Sequence, residues 1–115
     1  MRIIIAGGRD FIDVDLLWST MDALLEGVQD VTIVSGGARG ADKMGERYAD
    51  SKNLPVQRYP ADWNKYGKQA GYLRNAEMAA NADALVAFWD KKSNGTRHMI
   101  DLAKKAGLTI TVINY

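Results

Sequence analysis

The sequence predicts an α/β fold, a mainly parallel five-stranded sheet covered by helices. Short apolar, β-branched runs alternate with segments of helical periodicity from one end of the chain to the other. Turns containing glycine stand at most of the joints. Ile3-Ile4-Ile5 is continuously apolar, as a strand buried on both faces requires.

Ile3-Ile4-Ile5 is the first such strand. Val14, Leu17, Trp18, Met21, Leu24, Leu25 and Val28 follow at three- and four-residue spacing, the pattern of an amphipathic helix. Val31 to Val34 forms a second strand, and the next helix carries Ala41, Met44, Gly45 and Tyr48 on one stripe. Asn53 closes it just before Pro55. Val56 to Tyr59 is a short third strand, ended by Pro60. Between Asp62 and Asn81 the second half is expected to be helical, with Leu73, Ala76 and Ala80 on one face. The first half, containing Trp63, Tyr66, Gly67 and Gly71, is expected to be a loop. Leu85 to Phe88 is the fourth strand. The last helix, Gly95 to Ala106, presents Thr96, Met99, Ile100, Ala103 and Ala106 on one stripe, with Lys104 and Lys105 in its final turn and Gly107 as its cap. Thr109 to Ile113 supplies the fifth strand. No repeat, linker or low-complexity segment interrupts the pattern, so residues 1–115 are expected to form one domain.

At 115 residues and 47% hydrophobic composition, the chain suffices for one core and is too short for two. Fifteen Lys and Arg against fourteen Asp and Glu leave a formal charge of +1, so no global field draws it onto nucleic acid or an anionic membrane. The apolar runs are far shorter than a membrane helix needs. The opening MRIII reaches a glycine turn by Gly7, which leaves no room for a secretory leader, and a cytoplasmic protein is expected. Without cysteine there are no disulfides or thiolate sites, and with one histidine neither a metal nor another cofactor is expected. Chemistry would fall to oxygen and guanidinium groups.

Right-handed crossovers place the turns after strands one, two and four on the same edge of the sheet, where ligands of such sheets bind. They read Gly7-Gly8-Arg9-Asp10, Ser35-Gly36-Gly37-Ala38-Arg39-Gly40-Ala41-Asp42 and Lys91-Lys92-Ser93-Asn94-Gly95-Thr96. Glycines let the backbone approach a ligand, and helix-start N–H groups favour an anion such as phosphate. Arg9, Arg39, Lys91 and Lys92 add local positive charge. The same glycines would also serve simply to make tight turns, with the cations solvated. Neither GxGxxG in the first turn nor GxxxxGK[ST] anywhere is present, which disfavours an ordinary NAD dehydrogenase and a P-loop NTPase.

Gly7-Gly8-Arg9-Asp10-Phe11, the Ser35–Asp42 turn, Gly71-Tyr72-Leu73-Arg74-Asn75-Ala76-Glu77-Met78 and Asn94-Gly95-Thr96 together resemble the successive motifs of the SLOG superfamily, in its YspA-like branch. The resemblance implies a Rossmann-like three-layer sandwich that recognises a nucleotide or nucleotide-derived small molecule. Relatives include LOG-type phosphoribohydrolases, which cleave the base from nucleoside 5'-monophosphates, and the DNA-processing protein DprA. In the LOG-type enzymes an arginine in R-x-x-E-M acts with a glutamate just after PGGxGT. Arg74, followed by Glu77 and Met78, matches the first motif, which makes Arg74 and Glu77 the candidate catalytic pair. The second motif keeps only Gly95-Thr96, and the glutamate position holds Met99, whose thioether neither takes a proton nor stabilises an oxocarbenium ion.

Ligand and phosphate contacts are thus expected from Gly7, Gly8, Arg9 and Asp10, from Ser35, Gly36, Gly37, Arg39, Gly40 and Asp42, and from Asn75, Asn94, Gly95 and Thr96. Asp10, Asp42 or Glu77 would have to replace the missing glutamate. Asp42 reads equally as a first-turn acid facing its helix dipole, and Arg74 with Glu77 as a surface i,i+3 pair. Trp63, among alternating lysines and aromatics, is either a base-stacking lid or a loop residue folded onto the core. Trp18 and Trp89 read as packing residues and His98 as a solvated helix-surface residue. A homodimer is expected, pairing through Met44, Tyr48, Trp89 and Met99, while nucleic acid is an unlikely partner and a membrane none.

Overall fold

A computed structural model describes all 115 residues. Five parallel strands lie in the order β3-β2-β1-β4-β5: β1 (Arg2–Gly7), β2 (Thr32–Ser35), β3 (Val56–Arg58), β4 (Ala84–Trp89) and β5 (Thr109–Asn114). Alternation of side chains across the pleat sends Ile3 and Ile5 to one face and Ile4 and Ala6 to the other. Helices α1 (Val14–Leu25) and α2 (Ala41–Ser51) cover the first face through Leu17, Met21, Met44 and Tyr48. Helices α4 (Ala70–Ala80) and α5 (Asn94–Lys105) cover the second through Met78, Met99, Ile100 and Ala103. The result is the three-layer sandwich expected from the sequence. Gly45 lets α2 approach β1 closely, since a Cβ there would stand 2.8 Å from the Ile5 side chain.

Because the chain runs β1 to β3 outward on one side and then returns to add β4 and β5 on the other, the winding direction reverses between β1 and β4. The turns leaving the carboxyl ends of those two paired strands run to opposite faces of the sheet there and leave a crevice.

Helix ends follow local chemistry. Asp13 caps α1 by accepting the Leu16 N–H, and Ser93 caps α5 by accepting that of Thr96. Asn53 (φ 58°) and Gly107 (φ 77°) close α2 and α5, the following Leu54 and Leu108 amides donating to Ala49 and Ala103 carbonyls as in a Schellman motif.

Four expectations need correction. Helix α1 stops at Leu25, and Val14, Leu24 and Val28 are exposed: Gly27 (φ 73°) turns the chain, so the buried stripe is Leu17 and Met21 flanked by partly buried Leu16, Trp18 and Leu25. The segment expected as a loop begins with a one-turn helix, α3 (Trp63–Tyr66), capped by the Asp62 carboxylate, and continues through a 3₁₀ turn (Gly67–Gln69). In α4 the buried face is Ala70, Asn75, Met78 and Ala79, while Leu73, Ala76 and Ala80 point away. A polar residue in the buried stripe displaced the apolar reading of that helix. Met44, Tyr48 and Met99, expected at a pairing surface, are 7%, 2% and 1% exposed and belong to the chain's own core. No helix is long and apolar enough to cross a membrane.

Candidate functional site

Two adjoining cavities open at the carboxyl edge. The inner one, about 400 Å³, lies in the crevice between β1 and β4 and is walled by the Gly7–Asp10 turn, Arg39 and Asp42 of the second turn, Arg74 and Asn75 of α4, and Ser93, Gly95 and Thr96 at the start of α5. Ala6, Met78 and Met99 give it an apolar floor. The outer one, about 630 Å³, lies over Gly36 and Gly37 and is bounded by Lys43, Arg58, Pro60 and Trp63. Arg9, Arg39 and Arg74 belong to both.

Backbone proximity builds this edge. A Cβ at Gly7 would run into the Phe88 carbonyl oxygen and stand 2.8 Å from the Ala41 Cβ. Gly40 (φ 81°) lies against the backbone of Gly8 and Arg9, and the Gly8 carbonyl accepts the Ala41 N–H at 3.2 Å. The first and second turns are therefore one packed unit. Tyr115 adds to it, its hydroxyl donating to Asp10 Oδ1 at 2.7 Å while its ring packs edge-on against Phe11.

The second turn is held from below. Ser35 Oγ donates to Glu46 Oε2 at 2.7 Å and accepts the Gly37 N–H at 3.1 Å. Asp42 Oδ2 accepts the Ala38 N–H at 3.2 Å. Among the residues that line the cavities, the amides of Arg39 in the second turn and of Gly95 at the start of α5 have no partner within the chain and remain as donors for an anion.

Arg74 is not half of a surface ion pair. It makes no ion pair with Glu77 but turns inward, Nη1 donating to the Gly36 carbonyl at 2.6 Å and Nε to Asn75 Oδ1 at 3.1 Å. A Cβ at Gly36 would meet Nη1 at 2.7 Å and Asp42 Oδ2 at 2.9 Å, so a side chain there would displace the guanidinium from the Gly36 carbonyl. Burial lowers the Arg74 pKa, Asp42 raises it and Arg9 lowers it. Asp42 is pushed up to about 6, because burial outweighs the Ala38 hydrogen bond and the nearby Arg74 and Arg9 charges. Burial also acts to raise Glu46, but the Ser35 hydroxyl and the Arg58 guanidinium prevail and hold it below its ordinary value.

Not every residue named from the sequence reaches a cavity. Glu77 is exposed one turn beyond Arg74 and lines neither; Ser35 and Gly40 shape the second turn from behind; Asn94 is exposed, and Ser93 lines the inner cavity in its stead. Lys91 and Lys92 stand outside as well, on a turn held by the Asp90 carboxylate, which accepts the Lys92 and Ser93 amides at 2.8 Å. Trp63 is half-exposed at the outer cavity, with its ring edge near Gly71.

Sequence reasoning passed over three groups. Glu46, 8% exposed, also pairs with Arg58 Nε at 2.8 Å. Arg58 and Lys43 supply cations to the outer cavity. His98, read as solvated, instead packs edge-on against Tyr72 and accepts at Nδ1 from the Asn75 amide at 3.3 Å, which also donates to the Gly95 carbonyl. Burial lowers its pKa, consistent with a neutral ring. The S-x-x-x-x-x-x-D-x-x-x-E spacing across the second turn was the available signal for Glu46, since it puts Asp42 and Glu46 on one helix face.

The family model described as "YAcAr: YspA, cpYpsA-related SLOG family" matches residues 1–66. The Gene 61 protein of Mycobacterium phage D29 is 40% identical over 121 residues, covering 99% of this chain and 95% of that protein. In structure the chain is similar to DNA processing protein A (DprA) from Streptococcus pneumoniae, with a TM-score of 0.78 at 14% identity, over 99% of this chain and 50% of that one. At that identity the likeness is one of fold, and this chain spans half of that protein's length.

Proposed function

Since this chain belongs to the YspA, cpYpsA-related SLOG family, we propose that it binds a nucleotide or nucleotide-derived small molecule in the crevice between β1 and β4. The observation that carries this reading is the convergence of Arg9, Arg39 and Arg74 on two connected cavities in a chain whose net charge is only +1. The unpartnered Arg39 and Gly95 amides beside them suit phosphate, and the apolar floor of Ala6, Met78 and Met99 suits the less polar part of a nucleoside. Trp63 at the rim would stack on a base or a second ring.

Arg39→Ala and Arg74→Ala each remove a charge-assisted hydrogen bond, worth about 1.5 to 3 kcal/mol, or roughly ten- to more than a hundredfold in affinity. Calorimetric titration with a panel of nucleoside mono- and diphosphates measures it. Affinities matching the parent in both variants would place the ligand elsewhere. Thermal melts run in parallel distinguish lost binding from lost fold, and Arg39→Ala is the cleaner variant because Arg39 makes no hydrogen bond through its side chain.

A second reading, N-glycosidic hydrolysis of nucleoside 5'-monophosphates, is favoured by one observation: Asp42 is a buried carboxylate beside Arg74 in the cavity where Met99 replaces the expected glutamate. Release of free base on incubation tests it. Glu77, exposed and outside both cavities, is the weaker candidate for that role. DNA is a less favoured partner, because the cations line concavities instead of an extended face. The homodimer and the cytoplasmic location belong to the same proposal. Pairing would draw on exposed Tyr66, Tyr72 and Leu73 rather than the buried Met44, Tyr48 and Met99, and light scattering at twice the 12.7 kDa chain mass is the expected reading.

A further inference from the structure

The two cavities differ in charge. Five cations line the outer one, Arg9, Arg39, Lys43, Arg58 and Arg74, and no carboxylate does. The inner one shares the three arginines but adds Asp10 and Asp42, with Asn75 and Thr96 as neutral hydrogen-bonding groups. Carboxylates accept from sugar hydroxyls and repel phosphate, so the inner cavity suits a nucleoside and the outer one its anionic end. One phosphoryl group carries about −1.5 to −2 near neutral pH, enough for two cations. Glu46 lies beneath the outer cavity and takes up part of the charge on Arg58 and Lys43, at 2.8 and 3.9 Å, which still leaves Arg9, Arg39 and Arg74 without an ion pair. At about 630 Å³ the outer cavity is also larger than the inner one, more than a single terminal phosphate needs.

We infer that the ligand carries at least two linked phosphoryl groups: its nucleoside sits in the inner cavity between β1 and β4, the first phosphoryl group at the shared arginines, and the next in the outer cavity over Gly36 and Gly37 within reach of Lys43 and Arg58. This rests on the nucleotide-binding reading and narrows its ligand to nucleoside di- or polyphosphates. The second turn is shaped for it, since Ser35 and Glu46 fix the Gly37 amide and Glu46 also orients Arg58.

The test is paired titration at one ionic strength of AMP with ADP, GMP with GDP, UMP with UDP and CMP with CDP. For the base that binds, the diphosphate is expected to bind at least about tenfold tighter, the worth of one added charge-assisted contact. Inorganic pyrophosphate should displace it at lower concentration than inorganic phosphate. Lys43→Ala, a change at an exposed side chain, should narrow the ratio of diphosphate to monophosphate affinity, while Lys104→Ala at the far end of α5 leaves it unchanged. Equal affinities within every pair, or a ratio indifferent to Lys43→Ala, overturn this inference and leave nucleotide binding standing. Binding by no member of either series overturns both.

Discussion

Gly40→Ala is expected to cost about 2 to 4 kcal/mol of folding stability and to abolish ligand binding. The backbone at Gly40 has φ 81° and ψ −129°, a region that L residues with a Cβ avoid. Forcing a side chain into a positive-φ conformation costs about 1 to 2 kcal/mol. The added Cβ would also collide with the Gly8 carbonyl oxygen and stand 2.7 Å from the Arg9 Cα. Both are backbone atoms that no rotamer change can move aside, and overpacking of this kind adds about 1 to 3 kcal/mol. Relief requires the first and second turns to separate, which would break the Gly8 carbonyl bond to the Ala41 amide and move Arg9 away from Arg39. Gly37→Ala is the matched comparison. Its φ is 75° but nothing lies within 4 Å of its Cβ, so only the dihedral cost applies. Urea melts of both variants check the argument, and a Gly40→Ala loss no larger than that of Gly37→Ala would mean the contact between the turns is not what holds the site.

That contact also shows where sequence reading stops. The strands, their parallel direction and the shared edge of the glycine turns were legible because buried parallel strands and helical stripes write themselves in hydrophobic periodicity. Ile3, Ile4 and Ile5 can only be a strand covered on both faces. Many of the residues that line the two cavities were legible for a different reason: glycine and arginine at strand-to-helix turns on one edge of a parallel sheet mark where a crevice opens. Asn75 marks the limit. It is 7% exposed because its amide satisfies Arg74, Gly95 and His98 at once, and hydrogen bonds of that kind leave no periodic trace. Reading α4 by hydrophobicity alone therefore turned the helix toward Leu73 and left His98 in solvent. The segment after Asp62 failed similarly, since a four-residue helix is fixed by its cap and not by a stripe. Glu46 was missed because a charged residue on a helix is ordinarily solvated, and only the third dimension brings Ser35 and Arg58 to its carboxylate. Met44, Tyr48 and Met99 differ in the opposite sense: apolar helix residues that the pattern offers to a partner are taken up by the chain's own sheet.

Asp42→Asn is expected to make the protein more stable at pH 7, by up to about 3 kcal/mol. In the folded protein Asp42 has a pKa of about 6 against an ordinary 3.8, with burial as the leading cause. Between those two values the folded state keeps a proton that the unfolded chain has lost, so the Asp42 contribution falls as pH rises from about 4 and is fully unfavourable above 6. Asparagine has no charge to desolvate and can still accept the Ala38 N–H. The variant should therefore match the parent near pH 4 and gain on it steadily to pH 7. Glu46 titrates with the opposite sign: its depressed pKa gives stability that accumulates as pH rises toward its ordinary 4.5 and is constant above that, in both proteins. The variant-minus-parent difference isolates Asp42 for that reason. Urea melts at half-unit steps from pH 4 to 8 give the difference directly, and a flat difference would remove Asp42 as a raised carboxylate. On the proposed reading, a carboxylate that costs the fold this much beside Arg74 and Arg9 is kept for what it does to a ligand. If it only accepts a sugar hydroxyl, Asp42→Asn binds nucleotide nearly as well as the parent, with the repulsion of phosphate relieved. If it replaces the carboxylate that Met99 lacks, release of free base disappears in Asp42→Asn while nucleotide binding persists, and the enzyme reading of the site gains its residue.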